Sequence, residues 1–134
     1  MTPSTSSRPA AKRRPVYLDL PRIRQPIPAV TSILHRISGA LLFFIAVPFL
    51  LWGVQRSLVS PESYEAFLAF IARPIVKLGV LVLVWAYLHH LFAGLRHVLM
   101  DMHIGLDLGP ARQSATVATV GAIVVTLILA FRLW

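Results

Sequence analysis

Apolar residues in this chain fall in long blocks rather than in stripes. Three stretches contain no Asp, Glu, Lys or Arg: Ile37 to Val54, Leu78 to Leu95, and Gln113 to Phe131, each 18 or 19 residues long. Coiled into a helix, such a stretch covers roughly 27 Å, close to the ~30 Å hydrocarbon layer of a bilayer. Inside lipid every backbone N–H and C=O has to be satisfied within the segment, and helices do that. Helices of a soluble bundle would carry a polar face, and these three have none. The pattern therefore predicts an all-α membrane protein with three transmembrane helices, over about 32–54, 75–99 and 113–133.

The connecting segments add detail. Residues 1–15 are rich in Ser, Pro, Arg and Lys and predict a mobile basic tail ahead of a membrane-anchor domain over 16–134. "RPVYLDLPRIRQPIPAVTS" has four prolines at short intervals, so it reads as an extended lead-in lying against a partner or the membrane surface. Pro48 sits inside the first span, where a kink is tolerated. "SPESYEAFLAFIARP" predicts a short interfacial helix between the first and second spans. Ser60 is its candidate N-cap, Pro61 its first helical residue, and Tyr64, Phe67, Leu68 and Ile71 form one apolar stripe. "DMHIGLDLGPARQS" reads as a loop, and the small Ala and Thr residues of the third span, with Gly121, suit close helix contact.

Composition narrows the chemistry. The 134 residues are 57% hydrophobic and include no cysteine. That removes disulfides, an iron–sulfur cluster held by this chain, and covalent c-type haem. A formal charge of +8 raises the possibility of nucleic acid, but Arg8, Lys12, Arg13, Arg14, Arg22 and Arg24 all precede the first span. The positive-inside rule then predicts a cytoplasmic N-terminus, with Trp134 on the opposite face after three crossings. The 55–74 connection agrees, because Arg56 and Arg73 balance Glu62 and Glu65. "MTPSTSSRPAAKRR" has some features of a mitochondrial import segment, but it is short and equally reads as a tail, which favours a bacterial plasma membrane.

Polar groups within a span cost roughly 2.5–3.5 kcal/mol for a central charge, so they mark candidate sites. The second span ends in "HHLFAGLRH". On a helix His90, Gly94 and His97 share a face. A neutral imidazole is a good axial ligand for haem iron, and a glycine one turn away leaves room for a flat macrocycle. Arg96 and His97 lie nearer the cytoplasm, within reach of haem propionates. The same residues also fit plain interhelical packing, with His90 bonded to a neighbouring helix and Gly94 allowing close approach. His89 points about 100° away from His90, so only one of the two faces a given cofactor; sharing a face with Gly94 favours His90. At the mouth of the first span, "TSILHRISG" places Ser32, Arg36 and Gly39 on one face, with His35 beside it. A hydroxyl and a guanidinium one turn apart suit a quinone carbonyl or a propionate. Alternatively, Arg36 snorkels to the interface and Ser32 caps the helix.

"RPVYLDLPRIRQPIPAVTSILHRISG" followed by "HLFAGLRHVLMD" resembles the large cytochrome b membrane-anchor subunit of succinate dehydrogenase (complex II, succinate:ubiquinone oxidoreductase). The shared pattern is an RP–x–x–LDL lead-in, an SILHR–x–(S/T)–G start to the first helix and an H–x–x–x–G–(I/L)–RH–x–x–x–D end to the second. It runs from about Arg14 to the C-terminus. The resemblance implies that His90 is an axial ligand of a b-type haem iron, with the second ligand from the small anchor subunit. It implies that Ser32 and Arg36 belong to the ubiquinone site, and that His35, Arg36 and His97 approach the haem propionates. Asp101 closes the motif without an implied role.

The implied function is membrane anchorage of the flavoprotein and iron–sulfur subunits and a share in quinone reduction, the electrons coming from succinate in the tricarboxylic acid cycle. The chain itself would carry no catalytic head. A quinol:fumarate reductase anchor would run the same chemistry in reverse. A histidine-based metal or proton transporter would need acidic partners within the spans, and all five acids lie outside them. A scaffold without haem is the third alternative.

Overall fold

A computed structural model describes residues 22–133. Within them the chain forms α1 (Ile27–Leu41), a π turn (Leu42–Ala46), α2 (Val47–Val59), α3 (Pro61–Ile71), α4 (Pro74–Asp101) and α5 (Leu108–Leu133). The expected basic tail and the lead-in through Pro21 lie outside the described residues. The end of the lead-in corrects an expectation, because Ile27 to Ser32 are helical rather than extended. Pro28 falls in the first turn of α1, where its missing N–H leaves no hydrogen bond unmade. The helix from Ile27 to Val59 is continuous, and it, α4 and α5 are all long and apolar enough to cross a membrane. The expectation of an all-α membrane protein with three spans and a short helix between the first two is met.

Pro48 accounts for the π turn. Its ring would clash with the Phe44 carbonyl and it has no N–H to give. The widened turn places the Val47 N–H on the Leu42 carbonyl, one residue further back than in an α-helix. The rod thus stays unbroken where a proline would otherwise interrupt its hydrogen bonds.

Ser60 caps α3 as expected: its Oγ accepts the Ser63 N–H at 3.1 Å, and Pro61 occupies the first helical position. Phe67 on the predicted stripe lies edge-on to Trp52 of α2, with centroids 5.4 Å apart. Gly53 makes this possible, since a Cβ there would stand 3.0 Å from Phe67 Cζ. With Leu68 and Ile71, Phe67 also lines an apolar cleft of about 440 Å³ against Phe49, Val80 and Leu81.

The third helix starts earlier than its sequence suggests. "DMHIGLDLGPARQS" reads as a loop, yet only Met102–Asp107 separate α4 from α5. Gly109 and Pro110 fall in the first turn of α5, where backbone N–H groups have no intrahelical partner and a proline removes nothing. His103 and Gly105 take positive φ, 62° and 76°, and turn the chain back into the membrane.

Small residues form the core. Ala111, Ala115, Ala118 and Ala122 are all buried along one face of α5, and Ala86 and Ala93 along α4. Phe43, Phe44, Leu58 and Phe131 face outward, each more than two-thirds exposed. Lipid chains are as apolar as leucine, so helices gain by bringing backbones close rather than by hiding large side chains.

Candidate functional site

The buried stripe of α4 reads Ala86, His89, Ala93, Arg96, recurring at three- and four-residue intervals. It turns the two adjacent histidines to different surroundings. His89 lies on the stripe, fully enclosed, 5.5 Å from the Trp85 ring, with neither ring nitrogen hydrogen-bonded. His90, one residue on, is only half-buried and faces α1. A group shared with another chain can reach His90 and cannot reach His89.

His90 packs against the "HRISG" segment of α1. Its ring stacks on His35, with centroids 4.1 Å apart and planes 9° from parallel. His90 Nδ1 lies 3.0 Å from the His35 carbonyl oxygen and 3.3 Å from Ser38 Oγ. A carbonyl oxygen only accepts, so Nδ1 carries the proton and donates. The neutral ring then holds its free lone pair on Nε2, for which the structure records no hydrogen bond. This is the tautomer a metal-ligating histidine needs, its outer nitrogen fixed by a carbonyl.

His97 and Gly94 complete the cluster as their shared face predicts. The His97 ring is 5.1 Å from that of His35 and tilted by 56°. A Cβ on Gly94 would lie 3.5 Å from His35 Nε2, an ordinary contact. Gly39 is far tighter: a Cβ there would stand 2.9 Å from His90 Cε1. In the sequence Gly39 reads as part of the face shared by Ser32 and Arg36; in the structure it is the floor under the His90 ring. Ser38, which sequence reasoning did not single out, is fully buried and donates to the His35 carbonyl at 2.9 Å. Its only sequence signal is its place three residues after His35.

Arg36 is exposed on α1 and Ser32, one turn earlier, is half-buried. Neither takes part in the histidine contacts. Arg96 corrects an expectation. Rather than standing beside His97 for a propionate, it is buried and turned toward α5, with Nε donating to Ser114 Oγ at 3.0 Å and Nη2 to the Ala111 carbonyl at 3.4 Å. Six residues after His90, it lies about 120° around the helix from the ligand face.

Among the described residues no group of three or more His, Asp or Glu is arranged to hold a metal ion alone. The three clustered histidines stack and tilt rather than converge. One free imidazole nitrogen on a half-open face suits a haem completed by another polypeptide, and the residues present fit that group.

A profile of the family described as "Succinate dehydrogenase/Fumarate reductase transmembrane subunit" matches residues 10–129. The chain is 38% identical over 117 residues to the succinate dehydrogenase cytochrome b556 subunit of Coxiella burnetii, covering 86% of this chain and 93% of that one. It is 33% identical over 120 residues to the subunit of the same name from Paracoccus denitrificans, covering 86% and 88%. A membrane subunit of succinate dehydrogenase 2 from Mycobacterium tuberculosis is 36% identical over 95 residues, covering 71% and 67%. With three apolar helices in place and a family match over nearly its whole length, the chain belongs to the succinate dehydrogenase/fumarate reductase transmembrane subunits, as a cytochrome b membrane subunit of succinate dehydrogenase.

Proposed function

We propose that the chain anchors the flavoprotein and iron–sulfur subunits of succinate dehydrogenase in a bacterial plasma membrane, its N-terminus cytoplasmic, and that it shares a b-type haem and a ubiquinone site with its partners. His90 is the axial ligand from this chain, and an imidazole of the small anchor subunit is the other. The observation that carries this is the His90 ring itself, with Nδ1–H on the His35 carbonyl and Nε2 left free. Arg36 and Ser32 bind the quinone at the cytoplasmic end of α1, where the guanidinium stabilises negative charge developing on the quinone oxygen. The exposure of Arg36 fits a pocket whose other walls come from the iron–sulfur subunit and the small anchor. His35 and His97, with Arg36, lie toward the propionates. The haem, when bound, supplies one-electron storage beside the quinone.

Two variants test this. In the purified complex, His90→Ala loses the b-type α-band from the reduced-minus-oxidised spectrum; an unchanged band removes His90 from the ligand set. Arg36→Ala keeps succinate oxidation by a soluble artificial acceptor and loses quinone reduction. Equal loss of both activities would count against a quinone role.

A further inference from the structure

His90 has two side-chain torsions, and nothing on its own helix holds the ring; what holds it is α1. Three features of that helix meet the ring at once. The His35 carbonyl accepts Nδ1–H at 3.0 Å, Ser38 Oγ stands 3.3 Å from the same nitrogen, and Gly39 leaves a recess into which Cε1 fits. Ser38 is buried, and because its hydroxyl donates to that same carbonyl oxygen, its Oγ meets the His90 nitrogen as an acceptor. Any side chain at position 39 meets the ring at 2.9 Å, inside contact distance. The ring, as the end of a flexible side chain, would then swing away from the carbonyl.

We infer that Gly39 and Ser38 are positioning residues for His90: the first helix, through a recess and a paired acceptor, sets the orientation of the ligand on the second and the strength of its Nδ1–H bond. The inference rests on the proposal that His90 ligates haem. A hydrogen bond from the outer nitrogen makes an imidazole a stronger donor to its metal, and a stronger donor favours ferric over ferrous iron. Weakening that bond therefore raises the haem midpoint potential. Gly39→Ala acts on the bond by displacing the ring. Ser38→Ala acts less, since the 3.0 Å carbonyl contact survives, and Ser38→Thr restores the hydroxyl.

The test is a redox titration of the haem band in the intact purified complex, beside its low-spin ferric electron paramagnetic resonance signal. The expected result is a potential raised in Gly39→Ala, raised less in Ser38→Ala, and returned toward wild type in Ser38→Thr, with the ferric signal shifted in the same order. Potentials and signals unchanged in both Gly39→Ala and Ser38→Ala overturn the inference. If Gly39→Ala no longer holds haem, Ser38→Ala against Ser38→Thr decides it on the same criterion. A His90→Ala complex measured alongside separates the two failures: haem retained there sinks the ligand assignment, whereas haem lost there with unmoved potentials in the α1 variants sinks only the positioning role.

Discussion

At His89 both ring nitrogens are enclosed without a hydrogen-bond partner, within van der Waals surroundings that include Trp85. An unsatisfied buried polar group costs about 1–3 kcal/mol, while an apolar replacement of similar shape is close to neutral or better. His89→Leu should therefore leave the thermal unfolding midpoint of the purified complex unchanged or raised, and should leave the haem band intact. A clear drop in midpoint would mean that His89 has a polar partner elsewhere in the complex. His90 differs through a rotation of one residue, about 100°, which exchanges an enclosed stripe for a half-open face. That rotation also explains Arg96, which lies on the enclosed stripe and so binds α5.

Between elements, the joint of α4 with α5 rests on alanines plus one charged fork. Ser114 accepts from Arg96 Nε and itself donates to the Ala111 carbonyl. Ser114→Ala changes little volume but leaves a buried guanidinium N–H without its acceptor, at a cost of about 1–3 kcal/mol. Unfolding of the complex in a mild detergent series should register it, and a variant as stable as wild type would show that Arg96 re-pairs. A second joint, Thr31 Oγ1 at 3.0 Å from Thr119 Oγ1, ties α1 to α5. Helix α3 is held differently, at its cap. The Ser60 hydroxyl beside the exposed Glu62 carboxyl, with help from the residue's own N–H, holds that carboxyl below the usual glutamate range. A depressed pKa stabilises the folded form above the unfolded value, about 4.3, and the benefit is lost as pH falls below it. Amide exchange in the first turn of α3, corrected for intrinsic rate, should thus quicken on acidification. Ser60→Ala should weaken the helix start by about 1 kcal/mol and abolish most of that pH response; a response that survives the substitution assigns it to another group.

For the whole molecule, the described spans turn mostly large apolar side chains outward and bury mainly alanines, the reverse of a water-soluble bundle. Such a chain is stable only where lipid or partner helices cover that surface. The six basic residues ahead of α1 set its proposed direction. Alkaline phosphatase fused after Trp134 should be active outside the cell, and the same enzyme fused at the N-terminus inactive; the opposite result reverses the topology. With that orientation His97, Arg36 and Ser32 face the cytoplasmic side, the side proposed for docking of the soluble subunits.

The number of spans, their helical nature and the face shared by His90, Gly94 and His97 follow from the sequence alone. Run length against bilayer thickness fixes the first two, and the 3.6-residue period fixes the third. The N-cap of α3 was equally legible, because capping is a local matter of Ser60 and the three residues after it. Helix contacts decided the rest. No local rule says which apolar helix faces which, so the enclosure of His89, the turn of Arg96 toward Ser114, and the start of α5 at Leu108 needed the packed structure. The same holds for the seat of the His90 ring on His35, Ser38 and Gly39, since those residues lie more than fifty positions away in sequence and meet His90 only when two helices lie side by side.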